Sequence, residues 1–272
     1  MNLSDAEEIR SGLATLEPDI PWTHHFDLGH GIETITKDNE KYYKKSIGLG
    51  KLGDLVSELV KHHTINRGLN GLRVLDVASA EGRHSISMAQ QGASVVGIEG
   101  RELYVRRAQF AAKALGCENV SFLQDDVRSI DKEAAGQFDM VLCSGILHHL
   151  DRGSFRSFLS DLSSLTSDTL IIYTHISTPE SVKQFGLQGP VRLPGGYEGH
   201  LFQEHKKNAS KEERQRTVRA SLDNTMSFWA KKDSLIRCLS DVGFSAIYDV
   251  LKPHIFSNPL NASFRPILIA RK

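Results

Sequence analysis

The sequence predicts an α/β fold built on one seven-stranded, mostly parallel sheet. Three observations carry this expectation. Apolar runs of strand length recur with helical stretches between them, glycines stand just past several of those stretches, and the last two apolar runs lie close enough to pair antiparallel. With 272 residues and 40% hydrophobic content, the chain has ample material for one large core.

Taken in order, residues 1–70 precede the first predicted strand and are read as an N-terminal helical arm or cap. Strands are expected at 73–78, 94–99, 120–124, 138–143 and 169–174, and a terminal pair at 246–251 and 266–270. Helices are expected at 83–91, 102–115, 155–165 and 233–242. Gly92, Gly116 and Gly243 follow three of them, where a left-handed cap favours glycine. Five alternating units with a terminal antiparallel strand give a main domain over 71–272. Within it, 176–232 is an insertion, Gly-rich and polar at first and then a charged helix over 211–220. A structureless loop of that length is unusual, so some helix and a role as a lid over the substrate are expected.

Composition narrows the class. Thirty-three Lys and Arg balance thirty-three Asp and Glu, so no net positive field draws the chain toward a phosphate backbone or an anionic membrane. Cys117, Cys143 and Cys238 are odd in number and widely spaced, unlike a zinc site or a disulfide scaffold, which points to a reduced cytoplasmic protein without a metal. Residues 1–16 mix acidic and basic residues with apolar ones and are not expected to be a signal peptide. No apolar run approaches the roughly 20 residues needed to span a bilayer.

The chemistry concentrates between residues 73 and 150. In Val74-Leu75-Asp76-Val77-Ala78-Ser79-Ala80-Glu81-Gly82-Arg83, an apolar strand meets a carboxylate, small residues and a helix start, so the backbone can turn sharply against a ligand. Glu99 ends the second strand, where a carboxylate accepts hydrogen bonds from both hydroxyls of an adenosine ribose; a solvated charge is the alternative. Gln124-Asp125-Asp126-Val127 ends the third strand, and the fourth runs through Cys143 into Ser144-Gly145-Ile146-Leu147-His148-His149-Leu150.

These four segments, in order and at βα spacing, resemble the class I S-adenosylmethionine-dependent methyltransferases, a family with a Rossmann-like fold. The resemblance covers roughly 80 residues and implies S-adenosyl-L-methionine as cofactor. It places Asp76, Ala78, Ala80 and Gly82 in the first motif, Glu99 on the ribose, Asp126 and the Val127 backbone on adenine, and Cys143 beside the methionine moiety. Asp125 is an alternative to Asp126, and Asp126 is alternatively a helix N-cap. Ala78 and Ala80 replace the family's first two glycines. That departure disfavours a pyrophosphate cofactor such as NAD, which needs glycine's close backbone approach more stringently.

Methyl transfer from a sulfonium mainly requires alignment and exclusion of water, with a base only where the acceptor holds its proton. His148 and His149 are the candidate catalytic residues, against stacking or packing roles. Candidate substrate contacts are His24 and His25 in the stretch from Pro21 to Gly29, Tyr43 beside Tyr42, Tyr173, and Tyr197, Glu198 and Trp229 in the insertion; Glu204, Asn224 and His254 are further options. Trp22 and Phe26 either close over the cofactor or dock the arm on the core.

The arm, the Ile146–Leu150 segment and residues 224–229 also resemble the branch that contains tRNA wobble-uridine modifying enzymes and related small-molecule methyltransferases. Lys206, Lys207, Lys211, Arg214, Arg216 and Arg219 form a basic run diluted by Glu204, Glu212 and Glu213, which reads as a solvated helix face before an RNA site. The leading expectation is a small-molecule methyltransferase. The alternatives are a tRNA methyltransferase or carboxymethyltransferase, a non-catalytic adenosine-cofactor binding module, and an NAD-dependent oxidoreductase.

Overall fold

The computed structural model describes residues 5–17, 19–36, 55, 58–59, 68–217, 220–250 and 264–272. Seven strands form a sheet in the order β3 (Val120–Gln124), β2 (Ser94–Glu99), β1 (Arg73–Val77), β4 (Phe138–Ser144), β5 (Thr166–Tyr173), β10 (Ile267–Arg271), β9 (Ala246–Asp249), and three more form a small sheet in the order β6 (Gln188–Arg192), β7 (Glu198–Gln203), β8 (Met226–Ala230). By contact clustering the chain comprises two compact units, Met1–Val127 and Arg128–Lys272.

In the first unit, α1 (Ala6–Ala14) begins at Asp5, whose carboxylate accepts the Glu7 N–H at 2.8 Å. The strands β1 (Arg73–Val77), β2 (Ser94–Glu99) and β3 (Val120–Gln124) alternate with α2 (Arg83–Gln90) and α3 (Glu102–Ala114). Parallel pairing sets Asp76 opposite Gly97 and Glu99 opposite Gln124. Four of the five β1 residues are buried, as a strand covered on both faces requires. Edge strand β3 leaves Leu123 exposed. Trp22 and Phe26 meet edge to face at 6.0 Å and join a core cluster with Ile9, Ile86, Ala108 and Phe122. Of their two expected roles, the described contacts are those of docking the arm on the core.

The second unit contains α4 (Lys132–Ala135), β4 (Phe138–Ser144), a short 3-10 turn (Leu147–His149), α5 (Ser154–Leu165) and β5 (Thr166–Tyr173). Strand β5 starts earlier than apolar periodicity indicates. Phe138 pairs with Thr166 and Met140 with Thr169, so a register shift takes Ser167 and Asp168 into the strand without changing the apolar pattern. At the end of the chain, α8 (Lys232–Asp241) leads to β9 (Ala246–Asp249), and β10 (Ile267–Arg271) runs antiparallel to both β9 and β5. The part of the predicted strand beyond residue 250, with Pro253, His254 and Pro259, lies outside the described residues.

The insertion holds more strand than its sequence announces. After α6 (Pro179–Phe185) come β6 (Gln188–Arg192), β7 (Glu198–Gln203), α7 (Lys211–Arg216) and β8 (Met226–Ala230), with antiparallel pairing of β6 to β7 and of β7 to β8. Gly189 and Pro190 conceal β6, because both residues weaken an isolated strand pattern, yet an edge strand tolerates them. The charged helix expected over 211–220 ends at Arg216, with Thr217 as its C-cap. Gly92, Gly116 and Gly243 have φ of +95°, +63° and +101°, consistent with left-handed helix ends.

Candidate active site

The turn after β1 has the backbone of a glycine motif built largely from other residues. Ala78, Ala80 and Gly82 have φ of +58°, +49° and +79°. A left-handed conformation costs an L-residue about 1–2 kcal/mol, so the two alanines hold the turn against their own preference. Gly82 has no such alternative: a Cβ there would lie 2.6 Å from the Phe122 ring and 3.0 Å from the Ala108 Cβ.

Glu99 and this turn are joined. The Ala80 N–H donates to Glu99 Oε2 at 3.0 Å and the Arg101 N–H to Oε1 at 2.8 Å. Burial raises the Glu99 carboxyl, offset in part by those amides and the Arg101 charge. The Gly100 N–H also bonds this carboxylate, so three backbone amides take most of its roughly four acceptor positions. Asp76 is buried and accepts the Ser85 hydroxyl at 2.6 Å, which ties β1 to the first turn of α2. Burial pushes its carboxyl up to about 7, with Ser85 lowering it and the Glu99 charge raising it. Asp125 and Asp126 are exposed beyond β3, Val127 is buried, and the N-cap of α4 is Asp131 rather than Asp126.

Beneath the turn lies an ion pair that sequence inspection passes over. Glu81 and Arg107 are wholly buried and meet at 2.9 Å. Glu81 also accepts the Thr23 and His24 backbone N–H groups at 2.9 and 2.8 Å, and His24 Nδ1 lies 3.2 Å from it. Burial pushes the Glu81 carboxyl up, but His24 and Arg107 together outweigh burial and hold it below its ordinary value. Arg107 donates to the Leu16 and Pro21 carbonyls and sits 4.8 Å over the Trp22 ring. His24 is thus engaged in fastening the arm. His25 Nε2 lies 3.4 Å from Glu33, and its carbonyl accepts from Arg83. Only its i, i+3 and i, i+4 spacing from Tyr104 and Ala111 on the buried face of α3 marks Arg107 as inward-facing.

In the second unit, Cys143 is buried on β4 opposite Ile172, and Gly145 follows with φ of +80°. The next turn places His148 and His149 with ring centroids 4.2 Å apart, and His175 stacks on His148 at 4.0 Å. The His175 N–H donates to His148 Nδ1 at 3.2 Å, which assigns the proton of a neutral His148 to Nε2. Burial, followed by the charges of His175, His149 and Arg265, holds His148 well below the ordinary histidine range. His149 differs: its Nδ1 lies 2.8 Å from Glu204 Oε1, and its side chain is 17% exposed.

Trp229 packs edge to face with His148 and His175 and lies among Phe185 and Phe202; its buried Nε1 has no hydrogen-bond partner among the described residues. Tyr173 is buried at the end of β5, and burial raises its phenol against the lowering effect of Arg265. Tyr197 is not gathered into this cluster. Its hydroxyl donates to Asp241 at 2.7 Å and its ring meets Phe155 at 5.8 Å. Glu198 is half-buried and pairs with Lys231 at 2.7 Å. Tyr43 lies outside the described residues.

A family model described as a methyltransferase domain matches residues 74–168, the span that carries the turn, Glu99 and the His148-His149 pair. The chain is similar over part of its length to the ubiquinone biosynthesis O-methyltransferase of Acinetobacter baumannii strain AYE. The two are 35% identical over 83 residues, 30% of this chain and 35% of that protein. The Paracidovorax citrulli protein of the same name is 32% identical over 107 residues, 36% of this chain and 45% of that one. The chain therefore spans about a third of the length of the first of these curated relatives.

Likeness of fold extends further. The N-terminal domain of EvdMO1, a crystal structure with SAH bound, aligns at a TM-score of 0.72 and 24% identity, covering 98% of this chain and 97% of that one. Magnesium protoporphyrin IX methyltransferase from Synechocystis PCC 6803, with bound SAH, aligns at 0.57 and 21% identity over 86% and 88%. At these identities they establish a shared Rossmann-like α/β fold. Among the described residues, no helix is long and apolar enough to cross a membrane.

Proposed function

We propose that the protein is an S-adenosylmethionine-dependent methyltransferase acting on a small-molecule acceptor. One observation carries the reading: the left-handed Ala78-Ala80-Gly82 turn is hydrogen-bonded through the Ala80 N–H to Glu99, a backbone-held carboxylate at the end of β2 with an acceptor position left for a ribose hydroxyl. The donor set fits the group, since Glu99 accepts and the turn offers its backbone. In this reading Glu99 holds the ribose, the Asp126 and Val127 segment receives adenine, and Asp76 braces the turn through Ser85. The bound sulfonium supplies an activated methyl group; the protein orients the acceptor and excludes water.

The names of the curated relatives, O-methyltransferases, favour a small acceptor over tRNA. His149, Trp229 and Tyr173 are the proposed acceptor contacts, and the insertion at 176–232 the proposed lid; Glu204, within it, bonds His149. All three cysteines are unpaired thiols, the state a reducing cytoplasm maintains, and the protein is assigned there.

Calorimetric titration with S-adenosylmethionine and, separately, NADH tests the reading. Micromolar binding of the sulfonium alone is expected, weakened by about 1–3 kcal/mol in Glu99→Ala. Binding of NADH in preference would replace the reading with an oxidoreductase, and binding without turnover of any acceptor would leave a cofactor-binding module.

A further inference from the structure

Outside the cofactor segment, three donors converge on the buried carboxylate of Glu204, just beyond β7. Its Oε1 receives the Ser227 hydroxyl at 2.7 Å and lies 2.8 Å from His149 Nδ1, while Oε2 receives the Ser221 N–H at 3.0 Å. The side chain is 1% exposed. An ionised carboxylate only accepts hydrogen bonds, so the short contact to Nδ1 requires a proton on Nδ1. Neutral His149 then carries its free lone pair on Nε2, which has no hydrogen-bond partner among the described residues. This is the opposite tautomer from His148, and the difference separates two adjacent histidines that the sequence leaves equivalent.

We propose that Glu204 is a positioning residue that holds His149 as the Nδ1–H tautomer, so that His149 Nε2 takes the proton of an acceptor hydroxyl during methyl transfer. The inference rests on the methyltransferase reading above. It adds the acceptor class, because a hydroxyl keeps its proton at neutral pH whereas a neutral amine attacks with its own lone pair. In the step, the hydroxyl proton passes to Nε2 and an oxygen lone pair forms the new O–CH3 bond. The methyl C–S bond breaks with its electron pair remaining on sulfur. The sulfonium ends as a neutral thioether, His149 as imidazolium, and the proton then leaves to solvent. Ser227 and Ser221 keep Glu204 from rotating away. The buried Trp229 indole N–H, beside the histidine stack, is a donor available to the acceptor.

The first test needs no acceptor. Two-dimensional 15N NMR of histidine side chains, with His149 identified by its loss in His149→Gln, is expected to show the Nδ1–H pattern for His149 in the wild type. An Nε2–H pattern there overturns the proposal. Glu204→Ala should move His149 to the Nε2–H form and slow its carbethoxylation by diethyl pyrocarbonate several-fold, with Glu204→Asp partly restoring both. An unchanged tautomer and rate in Glu204→Ala overturn it equally. S-adenosylmethionine binding should be the same in wild type and Glu204→Ala, so loss of the methyltransferase reading and loss of this one have separate signatures. With a hydroxyl acceptor found by thioether release, Glu204→Ala is expected to lower kcat about 100-fold at similar KM. Full kcat in that variant would reduce Glu204 to a structural role.

Discussion

Asp76 is a carboxyl whose folded environment raises it from 3.8 to about 7, chiefly through burial. The folded chain therefore binds more protons than the unfolded chain between those values, and this residue's contribution to stability falls as pH rises through that window. Asp76→Asn, which keeps a polar partner for Ser85, should flatten the fall in melting temperature between about pH 4 and pH 7. A pH profile identical to that of the wild type would show that Asp76 is no more buried in solution than in the unfolded chain. At Ala80 the backbone is left-handed at φ of +49°. Ala80→Gly removes that strain but loosens the unfolded chain, so a net gain of about 0.5–1 kcal/mol is expected, or roughly 1–4 °C in melting temperature. The carboxylate of Asp76 and the small residues after it were legible as a motif. Left-handed torsions at two alanines were not, since alanine carries no signal for them and here the surrounding contacts impose them.

The arm and the small sheet make their predictions as elements. The arm is fastened by Arg107 and Glu81, and truncating one partner strands the other charge without water. Arg107→Met is expected to cost about 3–5 kcal/mol in urea unfolding, whereas a loss below about 1 kcal/mol would mean the ion pair is not buried in solution. In the small sheet, a Cβ on Gly199 would lie 2.2 Å from the Trp229 carbonyl oxygen, so β7 and β8 cannot keep their separation in Gly199→Ala. Faster amide exchange along Glu198–Gln203 and a loss of about 1–3 kcal/mol are expected. The arm's aromatic residues were visible in the sequence, but their task was not, because Trp22 serves equally as a lid or as an anchor until Arg107 is placed over it. Likewise Glu204 reads in sequence as one acid diluting a basic run, while folding turns it inward to His149.

At the scale of the molecule, zero net charge at pH 7 removes mutual repulsion between copies, so solubility should pass through a minimum near neutral pH and recover on either side. Balanced charge also predicts that any association with mixed tRNA is weak and disappears by about 0.2 M salt. A steep salt dependence starting from tight binding would revive the tRNA alternative.

The order and spacing of the strands in the seven-stranded sheet, the turn after β1 and the carboxylate at Glu99 were determined by the sequence alone, because apolar periodicity and chain turns are local properties. The match over residues 74–168 falls on that segment. Three things were decided only by tertiary structure: the inward Glu81–Arg107 pair, the sheet formed by β6, β7 and β8, and the different Nδ1 partners of His148 and His149. Each depends on residues distant in the chain meeting with water excluded, and a buried charge or an imidazole proton is placed by the partner it meets rather than by its neighbours in sequence.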